Sequence, residues 1–220
     1  MKTLVVAPHP DDEVLGAGGL LLRRKAEGGE VAWLIITGIT PESGWNKEKI
    51  QERANEIIEI SNFFSFDETF RLNFPTTKLD QVPMADLVLA ISDVFKTFKP
   101  EEVLLPHNSD VHTDHRIVFD AVASCVKWFR YPSVKRVLAY ETLSETEFAL
   151  SSAHNFHPNF FVNIEPFLAD KLRAIDIYAS ELGDFPFPRS HEAILALAKL
   201  RGVASGFMAA EAFELLRERI

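Results

Sequence analysis

The sequence predicts an α/β protein: a mainly parallel sheet with helices on both faces and additions at its C-terminal end. Three observations predict it. Short apolar runs alternate with longer segments of helical periodicity through the first 130 or so residues, the order that builds a parallel sheet covered on both sides. After about Pro132 that rhythm stops and a different set of elements follows. Two clusters of His and Asp stand directly after two of the apolar runs, where open parallel sheets bind their ligands.

Each element has its own warrant. Lys2 to Ala7 is an apolar run read as a buried strand, and Gly18 to Ala26 reads as the helix after it. Val31 to Thr37 is a second strand. Lys47 to Phe64 carries Ile50, Ala54, Ile57, Ile58 and Ser61 at helical spacing with charges between them. Thr69–Phe74 is a candidate third strand, followed by a helix from Met84 to Phe98 that Lys99-Pro100 ends. Glu102 to Pro106 is a fourth strand and His115 to Phe129 a fourth helix. Beyond Pro132, Arg136–Thr142 and Phe160–Ile164 read as strands, and Phe167–Glu181 and Glu192–Leu200 as helices. A Pro- and Phe-rich loop, Gly183 to Ser190, lies between those helices, and a short amphipathic tail covers Ala210–Arg217. No repeat or flexible linker divides the chain, so residues 1–220 are expected to form a single domain.

Composition narrows the function. With 47% hydrophobic and 25% charged residues, the 220-residue chain can bury one substantial core. Its net charge of -9 and absence of a basic stripe argue against nucleic acid as a partner, and against an anionic membrane surface. The opening Met-Lys-Thr-Leu-Val-Val-Ala is broken by Pro8, His9, Pro10, Asp11 and Asp12, too early for a signal peptide. The lone Cys125 sits in an apolar run and reads as a small core residue in a reduced compartment. A cytoplasmic protein is expected.

The chemistry is concentrated in Pro8-His9-Pro10-Asp11-Asp12-Glu13 and in His107-Asn108-Ser109-Asp110-Val111-His112-Thr113-Asp114-His115. Imidazole nitrogen with carboxylate oxygen is a favourable donor set for Zn²⁺, and a catalytic site keeps three protein ligands and one open position. His9 and Asp12 are three residues apart, and a tight turn into a helix aims both at one point, with His115 completing the set from the other cluster. A water on such an ion has its pKa brought from 15.7 to about 7, and Asp11 is the neighbouring carboxylate to take its remaining proton. Asp114 could orient a histidine, which would leave His112 as an electrophile facing the oxyanion.

Ala7-Pro8-His9-Pro10-Asp11-Asp12-Glu13, followed by Gly16-x-Gly18-Gly19, closely resembles the opening signature of the PIG-L/LmbE-like N-deacetylases. His112-Thr113-Asp114-His115 resembles their second signature, and the likeness extends more weakly over most of the chain. The resemblance implies a Rossmann-like zinc enzyme that removes acetyl groups from N-acetylglucosamine-containing substrates, with a homo-oligomer a reasonable state. It implies zinc on His9, Asp12 and His115, Asp11 as general base, and His112, paired with Asp114, as the oxyanion group that also protonates the amine. Arg53 becomes a substrate-binding candidate, while none of Tyr131, Tyr140 and Tyr178 has a recognisable context for the family's tyrosine.

Plainer readings stand beside these. Asp11 and Asp12 could be helix caps, Glu13 and Asp114 carboxylates favoured by a helix dipole, and Asp110 an Asx turn or a support of the metal loop. Arg53 could be a solvated ion pair. Arg189 could reach over the cleft or lie on the surface. His107 reads as a supporting loop residue, and His154, His157 and His191 as surface or capping histidines. Trp45, Phe185 and Phe187 are candidate stacking partners for a sugar. The glycines fail the dinucleotide pattern, because Leu21 occupies its last position; they read instead as close-packing positions.

Overall fold

The computed structural model describes residues 1–150 and 155–220, apart from the side chain of residue 42. Seven strands form one sheet in the order β3-β2-β1-β4-β5-β7-β6. They are β1 (Lys2–Ala7), β2 (Glu30–Gly38), β3 (Glu68–Pro75), β4 (Glu102–Pro106), β5 (Arg136–Tyr140), β6 (Phe160–Asn163) and β7 (Ala210–Glu218). The helices are α1 (Asp12–Ala26), α2 (Lys47–Phe64), α3 (Met84–Phe98), α4 (Thr113–Ser124), α5 (Leu168–Asp176) and α6 (His191–Ser205). β1 to β5 pair in parallel, whereas β7 runs antiparallel to both β5 and β6. This is an α/β fold with a mostly parallel, mixed sheet flanked by helices.

The strand pleat sorts the core into two layers. Val5, Ala7, Trp33 and Ile35 face α1, α2, α5 and α6, while Leu4, Val6, Leu34 and Ile36 face α3 and α4, as alternation along buried strands requires. β1 has β2 on one side and β4 on the other, so the chain reverses its winding there. The carboxyl ends of β1 and β4 therefore flank a topological switch point, the usual ligand crevice of open parallel sheets.

Several elements differ from expectation. α1 starts at Asp12, six residues before Gly18, because the His-Pro-Asp-Asp turn is itself the helix start. Its glycines thus lie inside the helix, and Gly16 faces the buried ring of Tyr140 on β5: an added Cβ would sit 2.2 Å from Tyr140 Cδ2. Tyr140 cannot swing away without losing the bond its hydroxyl donates to Val6 O at 2.8 Å. Gly16→Ala is therefore expected to destabilise the fold by about 1–3 kcal/mol, lowering Tm by roughly 2–4 °C per kcal/mol. Thermal unfolding of the variant checks this, and an unchanged Tm would show that α1 can shift freely on the sheet.

The tail at Ala210–Arg217 is strand β7, not an appendage. Its Ala, Glu, Leu and Arg favour a helix intrinsically, but the open edges of β5 and β6 pair with it on both sides. The buried Glu211 on this strand accepts from Gly19 N (2.7 Å), Leu20 N (2.8 Å) and Lys171 Nζ (2.7 Å), tying the C-terminal part to α1. α4 is shorter than expected, ending at Ser124. Among the described residues no helix is long and apolar enough to cross a membrane.

Candidate metal centre and active site

The turn after β1 and the turn after β4 meet at the switch point. Asp12 Oδ2 accepts from His9 N at 2.8 Å, which curls the turn and sets both side chains on one side. His9 Nδ1 and His115 Nε2 each lie 3.3 Å from that same Asp12 oxygen. The opposite ring nitrogens are both engaged: His9 Nε2 with Asp114 Oδ2 at 3.1 Å, and His115 Nδ1 with Asp110 Oδ2 at 2.8 Å. Asp110 Oδ1 is in turn held by Thr146 Oγ1 at 2.7 Å. A carboxylate on the far nitrogen fixes the tautomer, leaving a lone pair on the near one. Once both imidazoles are neutral, three acceptor atoms converge on one point. That arrangement fits a divalent cation.

A second grouping, His9, His112 and Asp114, also brings three potential ligand atoms within 4.8 Å of one another. Here the hydrogen bonds decide against a cation. His112 caps α4, its Nδ1 accepting from Asp114 N at 3.1 Å. A neutral imidazole accepting at Nδ1 carries its proton on Nε2, so the free nitrogen of His112 is a donor and no ligand.

The charges agree with these geometries. Burial opposes a charged His9, but hydrogen bonds to Asp114 and Asp12 outweigh it and push its pKa up to about 9. For His115 burial is likewise outweighed, by Asp12 and Asp110, and the value is pushed up to about 10. Burial would raise Asp12, yet His115 and His9 hold it well below the usual carboxylate range. Among protein groups alone, protons occupy the place a cation would take. Burial, with the charge on His9 and His115, lowers His112 to about 4 and keeps it neutral.

Asp11 behaves unlike its neighbours. It precedes α1 without making a side-chain cap, which removes the capping interpretation. Its backbone holds φ 134°, a region that costs a non-glycine residue of order 1–3 kcal/mol. Asp11 N donates to Glu13 Oε2 at 3.0 Å, and Glu13 Oε1 accepts from Tyr178 Oη at 2.8 Å. Burial raises Asp11 to about 7, with Arg189 opposing the shift. The cleft beside it has a volume of about 250 Å³, with Trp45, Ile50 and Ile57 among its apolar lining and Arg53, His112 and Arg189 among its polar lining.

The sequence profile described as PIG-L, GlcNAc-PI de-N-acetylase, matches residues 4–126, more than half of the chain and the part that contains both His/Asp turns. The chain belongs to the PIG-L family. By that membership it is a hydrolase of the deacetylase type. An uncharacterized deacetylase of Escherichia coli K12, YaiS, is 27% identical over 183 residues, covering 80% of this chain and 90% of that protein. A diacetylchitobiose deacetylase of Thermococcus kodakarensis is 25% identical over 218 residues, covering 96% of this chain and 81% of that protein. Among solved structures, the conserved protein TT1542 of Thermus thermophilus matches with a TM-score of 0.80 and 30% identity, covering 99% of this chain and 96% of that one.

In this PIG-L chain the expected residues meet, with one partner exchanged. The carboxylate of Asp114 does not pair with His112. It accepts from Thr77 N (2.7 Å) and Leu79 N (3.3 Å) and reaches His9 instead. His112 Nδ1 is already taken as the cap that accepts from Asp114 N, and the Asp114 carboxylate is turned to the segment after β3. Arg53 lines the cleft, donating to Pro10 O at 3.0 Å and pairing with Glu181. Tyr140 and Tyr178 are fully buried on other partners, and Tyr131 donates to Ser92, so none offers an oxyanion donor. His107 is buried beside Ser109 and Glu214, while His191 pairs with Asp176 at the surface. His154 lies outside the described residues. Trp45 lines the cleft, whereas Phe185 and Phe187 do not. Arg189, Glu145 and Glu181 also line it; only Arg189 carried a signal, as the one basic residue of a Pro/Phe loop.

Proposed function

We propose that this protein is a zinc-dependent hydrolase that removes an N-acetyl group from an amino sugar or an amino-sugar conjugate. The observation that carries the reading is the convergence of two oriented imidazole nitrogens and one carboxylate next to Asp11, a buried carboxylate that opens on the cleft. Two imidazoles and a carboxylate with coordination room left over are a donor set suited to catalytic zinc. His9, Asp12 and His115 would hold the ion, which when bound supplies Lewis acidity and a lowered pKa for water.

The remaining work falls to the chain's own groups. Asp11 takes a proton from the attacking water, the task for which a carboxylate poised near neutrality suits best. The same proton then serves the departing amine. His112 presents Nε2–H to the amide oxygen as it gains charge; a neutral imidazole donor cannot also be the acid, so the amine's proton comes from Asp11. Asp114 acts through His9, whose ring it orients, and through the segment after β3. Arg53 meets the substrate at the cleft wall, where Trp45 offers a face for a sugar ring. The sugar is supported by the likeness to a diacetylchitobiose deacetylase. A reduced, cytoplasmic setting fits the buried thiol of Cys125.

The test is acetate release by the zinc-loaded protein from N-acetylglucosamine, diacetylchitobiose, a nucleotide sugar and N-acetyl amino acids. Turnover confined to the amino acids would replace the sugar with a non-sugar amide. A protein that binds no zinc and gains nothing from added metal would remove the mechanism. His112→Ala is expected to keep its zinc and lose about 10²–10³ in kcat, the effect of one oxyanion donor, ~3–4 kcal/mol. Metal analysis beside the kinetics separates this from ligand loss.

A further inference from the structure

We propose that Arg189 is a positioning residue for Asp11: it grips one carboxylate oxygen so that the other stays turned to the cleft. The inference rests on Asp11 being the base and adds a residue beyond the matched family segment, which ends at residue 126. Arg189 Nη1 lies 2.6 Å from Asp11 Oδ2. Its Nε donates to Ser144 Oγ at 2.8 Å, and its two terminal nitrogens lie 3.4 Å from Glu181 and 3.6 Å from Glu145. Ser144, Glu145 and Glu181 come from two separate stretches of chain. The guanidinium is therefore fixed from several sides before it meets Asp11. A planar fork uses all these contacts at once, which an ammonium cannot do.

Asp11 needs such a grip. Its backbone is in an unfavourable region at φ 134°, and a strained residue persists only where its surroundings over-determine it. Glu13 holds its N–H from below, itself held by Tyr178. Arg189 holds its side chain from above. Arg53, bonded to Pro10 O and paired with the same Glu181, braces the preceding residue. Thus one short stretch, Tyr178 to Arg189, supports Asp11 at both ends. A surface latch would look different: the Asp11 side chain is 5% exposed and that of Arg189 17%. Among the described residues no donor reaches Asp11 Oδ1, which leaves that oxygen for a water.

The experiment compares wild type, Arg189→Ala and Arg189→Lys as zinc-loaded proteins, measuring kcat, KM, zinc content and Tm with the best substrate of the acetate-release panel. Arg189→Ala is expected to lose about 10–100-fold in kcat, as small misplacements of a reacting group do, with KM within about twofold and zinc retained. Guanidinium at millimolar concentration should restore part of the kcat of Arg189→Ala and none in wild type, and Arg189→Lys should fall between the two proteins. A rise in KM at constant kcat would make Arg189 a substrate-binding residue and overturn the proposal. So would unchanged kinetics, or a fall in kcat that tracks Tm and ignores guanidinium. An inactive wild type would overturn the function and this inference together, whereas an active wild type with an indifferent Arg189→Ala overturns this inference alone.

Discussion

His115→Ala is expected to purify without zinc and to show no more than about one-thousandth of wild-type turnover. Losing the ion forfeits a Lewis acid worth several kcal/mol, and about 4 kcal/mol corresponds to roughly 10³ in rate. The fold should survive, because the ring bonds only to Asp110 and lies against Asp12. Asp110→Asn is the graded version: it keeps all three ligands but weakens the orientation of His115, and zinc affinity should drop about 10–100-fold. Acid should weaken binding too. His9 and His115 are pushed up to about 9 and 10, so both carry protons below those values, and zinc must displace them. Affinity should accordingly fall by up to about 100-fold for each pH unit between 8 and 6, two protons being released. Chelator competition at three pH values measures this, with metal analysis of each variant. A His115→Ala protein holding one zinc per chain would mean that the ligand set is wrong.

The parts of the site legible in the sequence are those in which chemistry and local structure coincide. His9, Asp11 and Asp12 lie within one turn, and His112, Asp114 and His115 within another. Each turn follows a strand whose apolar run is plain, and the rules of parallel sheets bring such turns together without further information. What escaped depends on distances the sequence does not carry. That Asp114 serves His9 rather than His112 follows from the cap His112 makes to Asp114 N and from the fold joining residues 105 positions apart. Arg189 reaches Asp11 across 178 positions; its loop left cleft and surface equally open, and nothing in the sequence named Asp11 as its partner. β7 is a strand because two open edges claim it, a fact about β5 and β6 and not about Ala210–Glu218. The positive φ at Asp11 was equally hidden, since nothing in a Pro-Asp-Asp run announces which residue takes the strain.

Asp11→Asn is expected to bind zinc as wild type does and to lose about 10²–10⁴ in kcat, the contribution of a positioned general base. The amide keeps the size of the side chain and an oxygen to accept from Arg189, so what it removes is the ability to take a proton. The pH profile sharpens the test. Burial raises Asp11 to about 7 among the protein groups, and a cation on the neighbouring Asp12 would lower that value. The base form exists above the pKa, so wild-type kcat should fall as pH drops through a limb at or below about 7. Asn has no such limb, and the residual rate of the variant should be flat there. An Asn variant within tenfold of wild type, or one that keeps the acid limb, would send the role elsewhere. The alternatives nearby are poor. Both oxygens of Glu13 are taken, by Asp11 N and Tyr178 Oη. Asp12 sits between two imidazoles, and Asp114 holds Thr77, Leu79 and His9. Glu145 faces the cleft, but the chain places it on a loop beside Ser144, and one of its oxygens already lies 3.6 Å from Arg189. Among the described residues, Asp11 alone combines a held oxygen, a free one and a place in the turn that carries the ligands.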